Sequence, residues 1–487
     1  MIFSSIIIAK IFLIIVNLIH KPKEGVFKRN KDDKDYIYWS LRGLIKKWPV
    51  WITHNFPMPF LDNLLFKVFG VKTNLHNYMF EGWIDCEFIE FGKNVIVGVG
   101  SVVMGAIIID NYLIIQKTII EDNSIIGAHS LVAPGTKFRK GAILNAVSST
   151  HINQILDSGC IYKGTPAMKI GDYNINEKID NLKAILFEKS DIKDIYQNVH
   201  AETLIYDKSD IQQQTNNLKT DDKHHIRVQF HIYIPIIILN VGVSFLIPAI
   251  LFFFFLFEIL IPYLFSTPFG WVNFTNLFTQ FFLLITPLVF MGLYLLHLFF
   301  LALFTKLLYK WSEKLSPSRQ GVLDRNFESR ELNFYHHRSF LLKYPILAFT
   351  KSPFPWLTNW ALNFIGANKI GKRTTFEDQF ITKEFLNTGE NCYFGQFCYL
   401  TNHLVDGFFG EENITFFGVK IGNNSVLSAY CGGFPGTEIG ENSTLLPMSA
   451  TVKLDKLGNN GYYAGFPLKR ITKEDLKKYL GGLDLEE

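Results

Sequence analysis

The chain has 487 residues, 48% of them hydrophobic and 15% aromatic, with a formal net charge of only +4. Length alone suggests about three domains and the mean hydropathy is positive, +0.15. The net charge says little by itself, and the basic residues beside the apolar stretches suit anionic lipid rather than nucleic acid. The five cysteines, Cys86, Cys160, Cys392, Cys398 and Cys431, contain no CxxC pair. That argues against a disulfide framework and fits a reducing compartment.

The first element is apolar. Residues 1–19 carry one charge, Lys10, and predict a membrane anchor helix over 1–20. Two depths fit it: a short span whose Lys10 reaches the headgroups, or a helix lying in the interface. Basic sequence follows the apolar stretch and no small-residue cleavage site is clear, which argues against a cleaved signal peptide. Residues 21–79 read as a juxtamembrane helical segment. Within it, 36–51 mixes aromatic rings with Arg42, Lys46 and Lys47, a composition suited to the headgroup layer. The rival reading is an amphipathic helix packed on the next domain.

Over 80–173 the hydrophobic period becomes six: Ile120, Ile126, Val132, Phe138 and Leu144. Small residues follow directly (Gly127, Ala133), and Ser124, Ser130 and Thr136 come four after an apolar one. A helix repeats at 3.6 and a strand at two. A period of six suits stacked coils of short strands and tight turns, each coil stable only against its neighbours. In this sequence Cys392 and Cys398, six apart, are expected on one face as core fillers.

Residues 174–227 are polar with helical charge pairs and predict a helix and a linker. Residues 228–257 and 259–305 contain no Asp, Glu, Lys or Arg. Over 228–310 they predict two transmembrane helices, at about 232–257 and 278–304, each long enough for a bilayer. Lys219, Lys223 and Arg227 precede this region, and Lys306, Lys310, Lys314 and Arg319 follow it. The positive-inside rule then places both large polar parts in the cytoplasm and only the short loop outside. Glu258 and His297 are the ionisable residues to watch there.

A second juxtamembrane segment is expected over 311–376, a second domain of hexads over 377–475, and a tail over 476–487. The resemblance between the halves is direct. Gly25-Val26-Phe27-Lys28-Arg29-Asn30 returns as Gly321-Val322-Leu323-Asp324-Arg325-Asn326, and Arg42 returns as Arg338, all at an offset of 296. Ile120, Ile126, Phe138 and Leu144 return as Ile421, Leu427, Ile439 and Leu445, at an offset of 301. The chain is therefore read as two tandem copies.

The hexads resemble the hexapeptide-repeat family of left-handed parallel β-helices, rich in acyltransferases, over about 80–170 and 377–470. Gly164-Thr165-Pro166-Ala167-Met168-Lys169 is similar to the Gly-x-Pro-Ala-x-Lys/Arg ending of such enzymes. Gly465-Phe466-Pro467-Leu468-Lys469-Arg470 is a looser version, with Leu468 where alanine is usual. The resemblance implies an all-β left-handed parallel β-helix in two copies, beside α-helical transmembrane and juxtamembrane segments. The order of parts also resembles the C-terminal membrane region of poly-lysine-type nonribosomal peptide synthetases. This chain shows no adenylation domain and no carrier serine motif.

In hexapeptide acyltransferases a histidine acts as general base on the acceptor, a task its ordinary pKa suits. The candidate is His403, in Thr401-Asn402-His403-Leu404-Val405-Asp406, with Asp406 orienting the imidazole. The competing reading is a polar residue capping a loop. The first copy has Ala106 at the matching place, so the second copy is read as active and the first as degenerate. Gly465, Phe466 and Pro467, with Gly164 and Pro166, are expected to line the pantetheine groove. His129 and His151 lack a clear third partner for a metal site, and no metal is expected.

The expected function is a membrane-anchored acyltransferase of multi-pass topology with both β-helices facing the cytoplasm. The donor would be an acyl or aminoacyl thioester of coenzyme A or of carrier-protein phosphopantetheine, with no tightly bound cofactor. The acceptor would be an amine or hydroxyl. Expected partners are the lipid bilayer and a carrier protein or synthetase, with no nucleic acid. The oligomeric state is either a trimer or a pseudo-symmetric monomer. The alternative is a non-catalytic membrane scaffold for nonribosomal peptide or envelope biosynthesis, since β-helices also serve as plain supports.

Overall fold

A computed structural model describes residues 2–56, 60–79, 82–172, 230–264, 276–325, 329–377, 380–405, 413–483 and 485. Met1–Gly171 and Gln229–Glu487 form one compact unit. The helix and linker expected over 174–227 lie outside the described residues.

The first set of hexads forms a stack with three parallel sheets. One runs through Tyr78–Met79, Ile96–Val97, Ile125–Ile126, Ile143–Leu144 and Cys160–Gly164. A second joins Trp83–Ile84, Val102–Val103 and Leu131–Val132. The third joins Ile89–Phe91, Thr118–Ile120, Lys137–Phe138 and Ile155–Leu156. Ile125 pairs with Ile143 and Lys137 with Ile155, so one coil is three hexads. Each strand turns one residue inward: Val97, Ile126, Leu144, Val132 and Phe138 have no exposed surface.

The serines and threonines of the pattern are buried beside this column. Ser101 Oγ donates to Gly127 O at 2.7 Å and Ser130 Oγ to Asn145 O at 2.7 Å. Each hydroxyl satisfies a carbonyl at a turn of the next coil, which a buried backbone requires. Asparagines at the turns take the left-handed conformation (Asn94 φ 56°, Asn123 φ 58°), which asparagine tolerates better than most residues. Gly127 has no such freedom to give: a Cβ there would run into the backbone of Ala146.

The second stack repeats the plan. Thr375–Phe376, Tyr393–Phe394, Val426–Leu427, Thr444–Leu445 and Tyr462–Ala464 form one parallel face. Its first strand, Lys369–Ile370, pairs with Asn387 and Thr388, so the stack starts before the expected residue 377. Ile370 and Phe376, six apart, turn inward there and extend the apolar column back from 377. Cys392 and Cys398 do not share a face. They precede strands of two different sheets, because six residues carry the chain round one corner of the coil rather than back onto the same side. Their thiols donate to Gly422 O (3.1 Å) and Ser428 O (2.9 Å) in the next coil.

Each stack throws out one hairpin. In the first, Ile96 pairs with Ile125, 29 residues on instead of 18, so the coil carries 11 extra residues. These hold the hairpin of Ala106–Ile109 and Tyr112–Ile115. In the second, Tyr393 pairs with Val426, 33 residues on, and the hairpin is His403–Val405 with Asn413–Phe416. The second excursion is four residues longer, which turns a repeat offset of 297 before the hairpin into 301 after it. The repeated Gly-Val-x segments supply a third strand: Gly25–Lys28 pairs antiparallel with Tyr112–Ile115, and Gly321–Asp324 with Asn413–Phe416.

Among the described residues three helices are long and apolar enough to cross a membrane: Ile2–Ile19, His231–Leu260 and Leu277–Leu315. The last runs past the expected 304, continuing through Lys306 and Lys310 to the cap at Ser316. Between the second and third, Asn240 and Thr305 bond each other (3.0 and 3.2 Å), and His297 Nδ1 meets Ser244 Oγ at 3.1 Å. His297 is thus a buried helix-to-helix contact, while Glu258 is exposed.

The Lys34–His54 and Arg330–Thr350 helices join the apolar helices to the stacks. Arg42 is 2.9 Å from Glu87 and donates to His20 O at 3.4 Å, just past the first apolar helix. Arg338 is 3.2 Å from Glu384 and donates to Ser316 O at 2.7 Å. Both arginines are almost fully buried.

The stacks also pack on one another. The first hairpin's Ala106, Ile108, Leu113 and Ile115 cluster with Tyr393 and Val426 of the second stack. Tyr462 Oη donates to Asp110 Oδ2 at 3.0 Å, and Ile152 N to Tyr479 O at 3.1 Å.

Candidate functional site

His403 opens the second hairpin, opposite Phe416. Thr401 fixes the turn before it, donating through Oγ1 to His403 O at 2.8 Å. Asn402 anchors the turn to the stack through Nδ2 to Glu384 O at 2.8 Å. The imidazole Nδ1 lies 3.2 Å from Asn402 Oδ1. That contact makes Nδ1 the donor and leaves Nε2 as the acceptor nitrogen. The ring sits edge-on to Tyr335, with centroids 6.1 Å apart.

Burial, helped by the Lys383 charge, pushes the His403 pKa down to about 4. Burial and Lys343 bring Lys383 down to about 8, and its Nζ donates to Ser339 Oγ. Glu384 is raised by burial, against the pull of Arg338. Near neutral pH the imidazole is therefore uncharged, beside an ammonium close to its own titration. Asp406, the expected orienting acid, lies outside the described residues.

The two tail motifs adopt one geometry. Thr165–Pro166 and Phe466–Pro467 are both cis, and Gly164 (φ 105°) and Gly465 (φ 89°) both take positive φ. Gly164 N donates to Ser148 Oγ at 3.1 Å and Gly465 N to Ser449 Oγ at 3.0 Å. The first motif faces the second stack, with Thr165 Oγ1 3.7 Å from Met448 Sδ. Phe466 of the second motif is 66% exposed. Among the described residues no hydrogen bond joins the tail motifs to His403.

A cavity of about 880 Å³ lies elsewhere, between the first hairpin, the Lys34–His54 helix and the first coils of the second stack. It is lined by Ala106, the counterpart of His403, and by Asp85, Glu87, Lys46, Lys47, Glu377, Asn359 and Gln396. Lys47 pairs with Glu377 of the second stack at 2.7 Å and lies over the Trp83 ring at 4.2 Å. Asp85 Oδ2 accepts from Gly105 N (2.9 Å) and Ala106 N (3.1 Å), and burial still raises its pKa to about 6. Burial also pushes Glu87 up, but Lys46 and Arg42 outweigh it and hold the carboxyl below its ordinary value.

Sequence reasoning singled out none of these acids. The signal available was the recurrence of Glu87 as Glu384 at an offset of 297, beside the recurrence of Arg42 as Arg338. Among the described residues no three His, Cys, Asp or Glu side chains group as metal ligands. His129 sits at a turn with φ 53°, and His151 Nδ1 meets Ile152 O at 2.8 Å.

No family model matches the chain. It is 38% identical over 79 residues to 2,3,4,5-tetrahydropyridine-2,6-dicarboxylate N-acetyltransferase of Staphylococcus aureus (strain JH9), 16% of this chain and 31% of that protein. The chain thus spans about a third of the length of the curated relatives it matches. Among solved structures it is similar to AntD, an N-acyltransferase from Bacillus cereus, at 25% identity, covering 20% of this chain and 60% of that one (TM-score 0.17). It is also similar to a maltose O-acetyltransferase from Clostridium difficile 630, at 15% identity, covering 27% and 88% (TM-score 0.22). A hexapeptide-repeat acetyltransferase from Vibrio cholerae overlaps at 12% identity, covering 27% and 91% (TM-score 0.22).

Proposed function

We propose that this chain is a membrane-anchored acyltransferase of the hexapeptide-repeat type, built on two tandem left-handed β-helices that face the cytoplasm. The observation that carries the reading is the hairpin-borne imidazole of His403, whose Nδ1 is held by Asn402 and whose Nε2 is left to accept a proton. The 79-residue likeness to an N-acetyltransferase supports the reaction class. The three apolar helices support the anchoring.

In the proposed reaction His403 Nε2 takes the proton of an amine or hydroxyl as that group attacks the thioester carbonyl. The new C–N or C–O bond forms, the C–S bond breaks, and the thiolate leaves. It recovers the proton from the imidazolium, so no covalent enzyme intermediate is needed. Asp406 would stabilise the charged imidazole. The donor is coenzyme A or a carrier-borne pantetheine, lying along Gly465, Phe466 and Pro467, with Gly164 and Pro166 as the matching groove of the first copy.

Acetyl-coenzyme A binding to the detergent-purified chain, measured with transfer to a panel of amines, tests this. His403→Ala is expected to bind the thioester unchanged and to transfer nothing measurable. The scaffold reading predicts no thioester binding in either protein, and Ala106 in place of a base in the first copy is the feature that favours it.

A further inference from the structure

The cavity beside the first hairpin has an uneven supply of hydrogen-bonding groups. Most of its cationic groups are engaged, although Arg29 Nε is buried with no hydrogen-bond partner among the described residues. Lys46 is 2.8 Å from Glu87 and Lys47 2.7 Å from Glu377. Arg29 donates to Asn391 O (2.9 Å) and Cys392 O (3.0 Å). Arg373 faces Glu390 at 3.7 Å, and Lys31 is exposed at the surface. Three of its acceptors are not engaged. Glu87 Oε2, Asn359 Oδ1 and Gln396 Oε1 are buried with no hydrogen-bond donor among the described residues, and Gln396 is only 7% exposed.

Asn359 shows that this is local. Its counterpart Asn63 has the same amide role, donating to a backbone carbonyl at 2.7 Å, but its Oδ1 accepts from Thr73 Oγ1 at 3.3 Å. Buried acceptors without donors are costly. A space of about 880 Å³ is within the ordinary size of a small-molecule site.

We propose that this cavity binds a primary alkylamine in its ammonium form, whose N–H groups satisfy the open acceptors around Glu87 and Gln396 while its alkyl body lies among the aromatic rings. Of the lining's cations only Lys31, exposed at the surface, and the buried Nε of Arg29 are open to an anion, against three open buried acceptors, which a donor-only headgroup matches. The site is separate from His403, and Ala106 offers no base, so it holds the amine rather than acylating it. It does not depend on the proposed acyl transfer.

The test is calorimetric titration of the full chain in detergent with n-pentylamine, 1-pentanol and pentanoate. Saturable binding of the amine, at least tenfold tighter than of the alcohol and absent for pentanoate, is expected. Glu87 also holds Arg42 and Lys46, so its replacement risks the fold. Two gentler variants serve instead. Gln396→Met removes one acceptor and is expected to weaken amine binding by three- to tenfold. Gly43→Leu narrows the cavity: Gly43 lines it, and a Cβ there meets nothing within 4 Å. It is expected to weaken binding by at least threefold without lowering the melting temperature. Amine binding left unchanged by both Gly43→Leu and Gln396→Met, equal binding of the alcohol, or tighter binding of pentanoate would overturn the proposal. His403→Ala should bind the amine as the parent does, and a loss there would overturn the claim that the sites are separate.

Discussion

A histidine pushed down to about 4 is a weak base that is always ready. Its imidazole is neutral from pH 6 to 8, so none of it is lost to protonation, but its driving force for proton transfer is reduced. The acid limb of kcat/KM for the proposed acyl transfer is therefore expected below pH 5 rather than near 6.5, and a pH profile over 4–8 checks it. His403→Ala should lower kcat by about 10²–10⁴-fold with KM for the thioester little changed. A fall in KM-derived affinity with kcat intact would place the residue in binding instead. Asp85 makes a second case with the opposite sign. Its folded pKa, about 6, is above the ordinary value of 3.8. The folded state then holds the proton more tightly, so the stabilisation is full below pH 4 and is lost as pH rises through 6. The loss is at most about 3 kcal/mol at about 1.4 kcal/mol per pKa unit, less where cavity water reaches the carboxyl. Asp85→Asn should therefore gain on the parent in melting temperature between pH 5 and pH 8. A constant difference across that range would place the raised pKa in doubt.

At the scale of the element, the recurring device is an arginine that ties the end of an apolar helix to a coil. Arg338 meets both Ser316 O and Glu384, and Arg42 both His20 O and Glu87. Removing one partner of a buried pair strands the other charge, at a cost of about 3–5 kcal/mol. Arg338→Met should lower the unfolding free energy by that much, and Arg338→Met with Glu384→Gln should recover part of it. A thermal double-mutant cycle measures the recovery. The hexads were legible because one inward apolar residue per face repeats without exception from Ile120 to Leu144, with a hydroxyl at the turn. The arginines were legible as repeats, but their carboxylate partners, 45 residues away and more, were not. The hairpins were illegible for a plainer reason. Ala106-Ile107-Ile108-Ile109 is buried on both faces, so it carries no alternation to separate it from a coil strand. Nor does the sequence announce that Gly25–Lys28 will pair with strand residues almost ninety positions on. His403 could be picked out by type and motif; the cavity around Ala106 could not, because part of its wall comes from the other half of the chain.

For the whole molecule, the contact between the stacks decides which faces are interior. Tyr393 is 5% exposed and Val426 0%, whereas Ile96, at the place in the first stack that matches Tyr393, is 37% exposed. The strands are alike, so the difference comes from the first hairpin, which covers the second stack's face and has no equivalent over the first. Tyr393 is thus a residue whose burial is made by the other copy. Its truncation to alanine removes a large ring from a packed contact, at a cost of about 3–5 kcal/mol, and the loss falls on the joint rather than on either column of inward residues. The parent is expected to melt in one transition by circular dichroism in detergent. Tyr393→Ala should split that into two, because the stacks keep their own cores while losing what couples them. Phe394→Ala, one residue along, points into the column and should lower the second stack's stability by a similar amount. A single shifted transition for Tyr393→Ala would mean that the shared helices, not the hairpin contact, make the two stacks one cooperative unit.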